Sequence, residues 1–316
     1  MAYKTRYNAR FKEYEIQIQK NGYTGDSSLI TYLGPNPLEL SYSGNKGERK
    51  YVQGSALTFS FYERPGENYN ELFESNYKDY KLFLHNYDTS TLLWQGYIKP
   101  ENLSESYLDY NKLIELNATD AIADLKDIPF DKVSKRTSIL NVIKGALDYT
   151  GIELPINIQL HTWETTYMSP SECAFQEAFI DTRKFKNDSN GKTEYDDSYT
   201  VLEKVLQPFS CNLRQANGTY RITNPNELES NIFVYDFNTL SFICDSSSNN
   251  TINIDNYKFY PSSNKTKIRP LRAVDLTFSN KDVGGDLVND ISSWTNSSIW
   301  RISAPEWSVT ANNILN

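Results

Sequence analysis

From residue 14 onward, apolar and polar positions alternate in short bursts separated by turn residues. Tyr14, Ile16 and Ile18 alternate with Glu15, Gln17 and Gln19, and Asn21-Gly22 offers a turn. Leu38 and Leu40 precede a turn-rich stretch, Ser43-Gly44-Asn45-Lys46-Gly47, and the residues from Ala56 to Phe61 alternate again between Gly54 and Pro65-Gly66. Tyr80 to His85 reads as a further strand, and Asp88-Thr89-Ser90 turns it into the next. There Trp94, Gly96 and Ile98 alternate with Gln95, Tyr97 and Lys99, the period of a half-buried strand. Pro100 removes a ladder donor and ends it. In the following strand Ile114, Leu116 and Ala118 share one face, and Glu115 and Asn117 the other. Thr119-Asp120 then supplies short polar capping residues for a helical turn, with Ile122 and Leu125 at i and i+3 on its buried side. Trp94, Ile98, Ile114, Leu116 and Leu125 are expected to share one buried cluster. Short strands with turns at this spacing predict a small β-barrel or sandwich over residues 1–128.

The period changes after residue 128. Ser138 or Thr137 caps a helix that carries Ile139, Val142, Ile143, Ala146 and Leu147 on one face, and Gly151 stands where a C-terminal glycine belongs. A second helix, from about Ser198 to Phe209, places Val201, Leu202, Val205, Leu206 and Phe209 on its apolar face. Pro208 ends its regular part a residue or two earlier. Asp197, Ser198 and a Thr200–Glu203 capping box compete for its N-terminus. Cys211 to Ile222 then reads as a hairpin with Asn217-Gly218 at its tip, packed on the second helix through Leu213, Tyr220 and Ile222. Residues 129–265 are therefore expected to form an α+β domain. From 266 to 316 the chain is extended, with a strand from Leu271 to Phe278. The dense apolar set after Val283, including Trp294, Trp300 and Trp307, predicts an interface with another subunit or a further domain. The fold class expected is α+β, predominantly β.

Composition narrows the function classes. The chain has 316 residues, enough for two or three domains, and 40 Asp+Glu against 32 Lys+Arg. No run of basic residues exceeds two, so no field draws it to nucleic acid or an anionic membrane. With 23 Tyr and 15 Phe, the aromatic content suits extensive β structure and large interfaces, although an AT-rich coding genome would give the same bias. The 3 cysteines, Cys173, Cys211 and Cys244, have no C-x-x-C spacing, which argues against a disulfide framework or zinc knuckle. The first residues carry no apolar signal-peptide core, and no apolar run reaches roughly 18 residues, the length that spans a bilayer.

Candidate chemistry is thin. His85 and His161 are too few and too separated for a metal or acid–base site, and Cys211 reads as core. No G-x-S-x-G, P-loop or H-E-x-x-H motif occurs. Glu172, Glu177, Asp181, Asp196 and Asp197 cluster around Lys184–Lys192, which reads as a mobile polar loop rather than a cleft. Asp282, Asp286 and Asp290 could gather calcium, yet lack the D-x-D-x-D-G run of an EF-hand. The sequons at Asn102 and Asn264 are expected by chance in an Asn-rich chain. Asp120 reads as a cap, and Trp94 as a core anchor beside Gly96 rather than a sugar-stacking platform. No cofactor is expected.

The pattern W-x-G-x-I-x-P from Trp94 to Pro100, a gap, then a strand ending in A-T-D-x-x-x-x-L-K-D resembles one found in tail proteins of phages and prophages of Bacteroidetes-type bacteria. These belong to the baseplate-hub or tail-tip family, whose β-barrels form rings at the end of a tail tube. The helix followed by an Asn-Gly hairpin resembles the middle α/β part of the same proteins, and Asp286–Trp294 resembles the first strand of an appended β-sandwich. The resemblance marks Trp94, Gly96, Ile98, Pro100, Thr119, Asp120 and Leu125 as a structural motif. It implies a non-enzymatic ring, a homotrimer, that caps the tail tube and anchors fibres or a distal appendage in a virion assembled in host cytoplasm. The partners expected are further copies of itself and other tail proteins, with no nucleic acid and no membrane segment. Two rival readings are a carbohydrate-binding adhesin with exposed Tyr and Trp, and a cell-wall hydrolase with an acid–base pair.

Overall fold

The computed structural model describes residues 2–44, 50–102, 104–105, 112–132, 134–160, 173–189, 192–225 and 231–247. The strand expected at 271–278, the calcium-type aspartates, His161, Glu172 and the three C-terminal tryptophans lie outside the described residues.

The alternation read from the sequence builds the first sheet. Its strands are β1 (Tyr3–Phe11), β2 (Tyr14–Asn21), β3 (Ser28–Ile30) and β4 (Leu33–Tyr42). After a two-residue strand β5 (Val52–Gln53), which belongs elsewhere, come β6 (Ser55–Glu63), a short helix α1 (Asn70–Phe73), β7 (Tyr80–Asn86) and β8 (Leu92–Ile98). Finally β9 (Ser104–Glu105) pairs with β10 (Lys112–Thr119). The nine strands follow the order β3-β1-β2-β7-β8-β10-β6-β4, with β9 off that path. Ile16, Ile18, Leu82, Trp94, Leu116 and Phe59 all bury in one cluster, to which α1 adds Leu72. Seven of the strands put apolar residues into this single core and β4 packs Leu33 and Leu38 against it, so the sheet curls around it with one turn of helix over the top. Bulges at Arg6 of β1, between Thr5 and Tyr7, and at Leu93 of β8, opposite Leu84/His85, supply local bends. The predominantly β, α+β class expected from the sequence is the class observed. The closed barrel is not formed: among the described residues the end strands β3 and β4 are not paired with each other. Pro35 and Pro37 sit in β4, an edge strand where a missing N–H is tolerated.

Helix α1 is held by charge. Glu71 accepts from Arg6 Nε at 2.7 Å, Lys20 Nζ at 2.8 Å and the Tyr7 hydroxyl. Burial alone would raise its carboxyl pKa, but the hydrogen bonds from Lys20, Tyr7 and Arg6 win and bring it down to about 2.

The second layer begins after a 3-10 turn at Ala123–Asp127. It comprises β11 (Thr137–Ser138), α2 (Ile139–Leu147), β12 (Ile156–Gln159), α3 (Ala174–Glu177), β13 (Phe179–Ile180), β14 (Lys186–Ser189) and β15 (Lys192–Tyr195). Then follow α4 (Ser198–Leu206), β16 (Asn212–Ala216), β17 (Thr219–Thr223), β18 (Asn231–Tyr235) and β19 (Phe242–Ser247). A six-stranded sheet of order β19-β18-β12-β17-β16-β5 shares a core with α2, α3 and α4. Ser138 caps α2 by accepting from the Asn141 N–H, and Asp197 wins the contest at α4 by accepting from the Thr200 N–H. Pro208 falls in a 3-10 turn, Gln207–Phe209, that follows α4. The expected polar loop at 184–192 is instead largely a hairpin, with Lys186–Ser189 paired to Lys192–Tyr195. All described residues belong to one compact unit of contacts.

The β16–β17 hairpin forms where the sequence placed it. Asn217 at φ 51° and Gly218 at φ 67° give the two left-handed residues that a type I′ turn needs. A Cβ on Gly218 would lie 2.4 Å from the Leu92 carbonyl oxygen of β8. Gly218→Ala should therefore destabilise the protein by about 1–3 kcal/mol in urea titration, while Asn217→Gly should be nearly neutral. Equal, small effects for both would show that the tip does not rest on β8.

Candidate functional site

Strand β8 and the turn after β10 hold the motif residues. Trp94 is 0% exposed, and its indole Nε1 donates to Ser55 Oγ at 2.8 Å. Ser55 Oγ in turn donates to Asp120 Oδ2 at 2.6 Å, and the Ser55 N–H donates to the same oxygen at 2.7 Å. The Ile122 N–H donates to Asp120 Oδ1 at 3.1 Å, and the Asp120 N–H donates to the Ser55 carbonyl at 3.1 Å. One carboxylate thus takes up donors from two distant segments of chain. Ala121, at φ 58°, occupies the left-handed region so that the chain can reverse between Asp120 and Ile122. The 3-10 turn Ala123–Asp127 has Ile122 at its N-cap with no side-chain cap, so Asp120 accepts just ahead of the turn rather than capping it as expected. Sequence reading also missed Ser55, which carries no marker beyond standing at the start of a strand.

Gly96 explains the fit of Trp94. A Cβ there would lie 2.3 Å from the indole and 2.4 Å from the Thr119 carbonyl oxygen, so only glycine lets the ring fold over the strand. Ile98 buries in the same cluster as Trp94, Ile114 and Leu116. Leu125 does not: it packs with Ala121 and Ile122 in the core of the second sheet. Pro100 opens a 3-10 turn, Pro100–Asn102, directly after β8, and Thr119 is the last residue of β10.

The half-buried pattern expected for β8 is also corrected, because residues 94–98 are all buried. Tyr97 reaches into the second core, and its hydroxyl donates to the Gly151 carbonyl at 2.7 Å. Gln95 exchanges two hydrogen bonds with the side chain of Gln215: its N–H donates to Oε1 at 3.2 Å and its carbonyl accepts from Nε2 at 2.9 Å. The Gly218 N–H donates to the Leu93 carbonyl at 2.9 Å. β10 pairs with β8 only at Ala118 and Thr119, so the hairpin tip and the Gln215 amide take the place of a strand along the rest of that edge. A single period-2 pattern cannot reveal that both faces of a strand find cores.

Electrostatics follow burial. Asp120 is 1% exposed, and desolvation pushes its carboxyl up to about 6 despite the hydrogen bonds from Ser55 and Ile122. Every oxygen of the Trp94–Ser55–Asp120 chain is engaged and shut off from solvent, which leaves no open position for a substrate. The other carboxylates singled out from the sequence act locally. Asp181 accepts from the Arg183 N–H, Asp196 pairs with Lys204 at 2.7 Å, and Asp197 is the α4 cap. His85 stacks with Phe83 on β7, and Cys211 is buried in the second core. Among the described residues no group of His, Cys, Asp and Glu is arranged to hold a metal ion, and no helix is long and apolar enough to cross a membrane. A shallow groove lined by Thr31, Tyr32, Leu33, Tyr62 and Arg64 presents an aromatic ring, but the Arg64 guanidinium covers the face of Tyr32.

No protein-family profile and no curated protein matches the chain. Among solved structures, the 43 kDa tail protein of prophage MuSo2 from Shewanella oneidensis is 15% identical, with a TM-score of 0.32, over 61% of this chain and 56% of that one. The tail protein from Neisseria meningitidis MC58 is 8% identical, with a TM-score of 0.38, over 66% of this chain and 50% of that one. Prophage tail protein gp18 from Listeria monocytogenes EGD-e is 9% identical, with a TM-score of 0.33, over 61% and 45% respectively. The chain spans about half the length of these structures.

Two outcomes follow from the buried chain of hydrogen bonds. Trp94→Ala should cost about 3–5 kcal/mol in denaturant titration, because it empties the largest side chain in the core and removes the donor to Ser55. A loss below about 1 kcal/mol would show that the indole is not a core anchor. For Asp120, the folded pKa of about 6 exceeds the unfolded value of about 3.9, so folding takes up a proton between them. The associated stability is fully present below about pH 4 and is lost as pH rises through about 6. Relative to Asp120→Asn, the wild type should therefore gain on the order of 3 kcal/mol between pH 7 and pH 4, at about 1.4 kcal/mol per pH unit. Parallel melting curves for the two proteins across that range would exclude a shifted Asp120.

Proposed function

We propose that this chain is a non-enzymatic structural component of a phage tail, belonging to a tail tip or baseplate hub. In this reading it forms a ring, a homotrimer, that caps the tail tube and anchors fibres or a distal appendage. The observation that carries the proposal is the use made of the motif from Trp94 to Leu125. Trp94, Gly96, Ile98, Asp120 and Leu125 are buried at the joint between two packed layers, which is the work of a scaffold. The motif itself resembles that of tail-tip proteins, and its anchor Trp94 is buried where the adhesin reading needs an exposed platform. The curled sheet of residues 1–128 would then be the ring-forming domain and residues 129–265 the α+β domain. Residues 266–316, with Trp294, Trp300 and Trp307, would carry the contact with a neighbour. The partners are further copies of itself, the tail tube and fibre proteins, within a virion assembled in host cytoplasm.

Light scattering after size-exclusion chromatography, on the full chain alone and mixed with purified tail tubes, tests this directly. A discrete multimer in either sample, and gold-labelled antibody at one end of the particle, are the expected results. A chain that stays monomeric with tubes present, is absent from particles and binds a glycan array would make the adhesin reading the correct one.

A further inference from the structure

The six-stranded sheet carries an unusual charge arrangement on the face turned away from its helices. Leu213, Gln215, Tyr220 and Ile222 point to the buried side. The residues between them point the other way, and there Arg214 of β16 stands directly opposite Arg221 of β17. Like charges facing each other across an antiparallel pair, with Cβ atoms about 5 Å apart, are destabilising unless something neutralises them. Among the described residues neither arginine has a carboxylate partner. Arg214 has only the Tyr42 ring, 5.8 Å away. The Nε atoms of both arginines are buried and have no acceptor. The same row continues to Gln53 of β5 on one side and Asn157 of β12 on the other, and Asn157 Oδ1 is buried without a donor. Three polar atoms on three adjacent strands are thus left incomplete in one line.

We infer that this row is a docking site for an extended acidic segment of another protein chain. Its Asp or Glu carboxylates would span the two half-buried, paired guanidinium groups. Charge complementarity selects a carboxylate, since planar guanidinium forks match it in a bidentate way. The row runs across neighbouring strands from Gln53 through Arg214 to Arg221, a length that an extended segment with spaced carboxylates matches better than a single free anion does. Nucleic acid is disfavoured by the chain's net charge of -8 and by the lack of further basic runs around the pair. This inference stands independently of the tail reading.

The test uses the full chain and a fluorescently labelled, end-capped Glu-rich peptide, its Gln-for-Glu counterpart, inorganic phosphate and a single-stranded oligonucleotide. The Glu peptide should bind in a salt-sensitive way and the Gln peptide should not. Arg214→Gln and Arg221→Gln should each weaken binding at least about tenfold. Without peptide, the R214Q/R221Q double variant should melt at or above the wild-type temperature, because a like-charge opposition is removed. Equal peptide binding by wild type and double variant would overturn the proposal, as would a double variant that melts well below wild type. Displacement of the peptide by equimolar phosphate, or tighter binding of the oligonucleotide, would equally reject a protein segment as the occupant.

Discussion

The structure depends on one buried carboxylate. Besides the passage from β4 to β5, the chain passes between the curled sheet and the second layer from β5 to β6 through Gly54, and from β10 into the 3-10 turn through Ala121. The last two crossings present the Ser55 and Ile122 N–H groups, at a depth where an unmade hydrogen bond costs about 1–3 kcal/mol. Asp120 accepts from both crossings at once, through the Ser55 and Ile122 N–H groups, and the Ser55 hydroxyl passes the network on to Trp94. Without the carboxylate the two crossings keep only the backbone bond from the Asp120 N–H to the Ser55 carbonyl and the Ala56–Thr119 pair, and two buried donors are left unmet.

Strand β8 turns that local tie into a global one. Trp94 and Ile98 belong to the first core and Tyr97 to the second, so the two cores meet across a single strand. The Gln95–Gln215 pair and the Gly218–Leu93 bond then complete its backbone from the second layer. A displacement of the β16–β17 hairpin therefore cannot leave β8 unmoved, nor can β8 shift without disturbing Trp94 and, through Ser55, Asp120. The two layers are coupled by hydrogen bonds with fixed direction as well as by apolar contact.

Much of this was legible from residue order. The faces of β2, β7 and β10, the caps at Ser138 and Asp197, and the turn at Asn217-Gly218 are each set by chemistry within a few residues. What could not be read arises from contacts far apart in sequence. Nothing near Gln95 says that Gln215, 120 positions away, will serve its backbone. Leu125 was assigned to the wrong core because i, i+3 spacing identifies a buried side without saying against what. The closed barrel failed for a related reason: strand periodicity fixes which face is buried, but closure depends on whether the end strands meet. The pairing of β14 with β15 is a different kind of miss. The strands Lys186–Ser189 and Lys192–Tyr195 are polar but for Tyr195, so hydrophobic alternation could not reveal them.

An apolar joint at Asp120 would in principle be at least as stable, because replacing a buried charge by well-packed hydrophobic groups is often neutral or favourable. The carboxylate does something that a leucine could not. Apolar contacts tolerate sliding, whereas Asp120 is satisfied only when the Ser55 and Ile122 donors and the Ser55 hydroxyl converge on it. A shift of one residue in the β6–β10 register, which pairs Ala56 with Thr119, would carry Ser55 away from it and strand a buried charge. Stability given up to desolvation is thereby exchanged for a register with a single solution. For a scaffold whose two layers must keep one relative arrangement, that exchange is favourable, and it accounts for a glycine, a serine, a tryptophan and an aspartate drawn together from three separate parts of the chain.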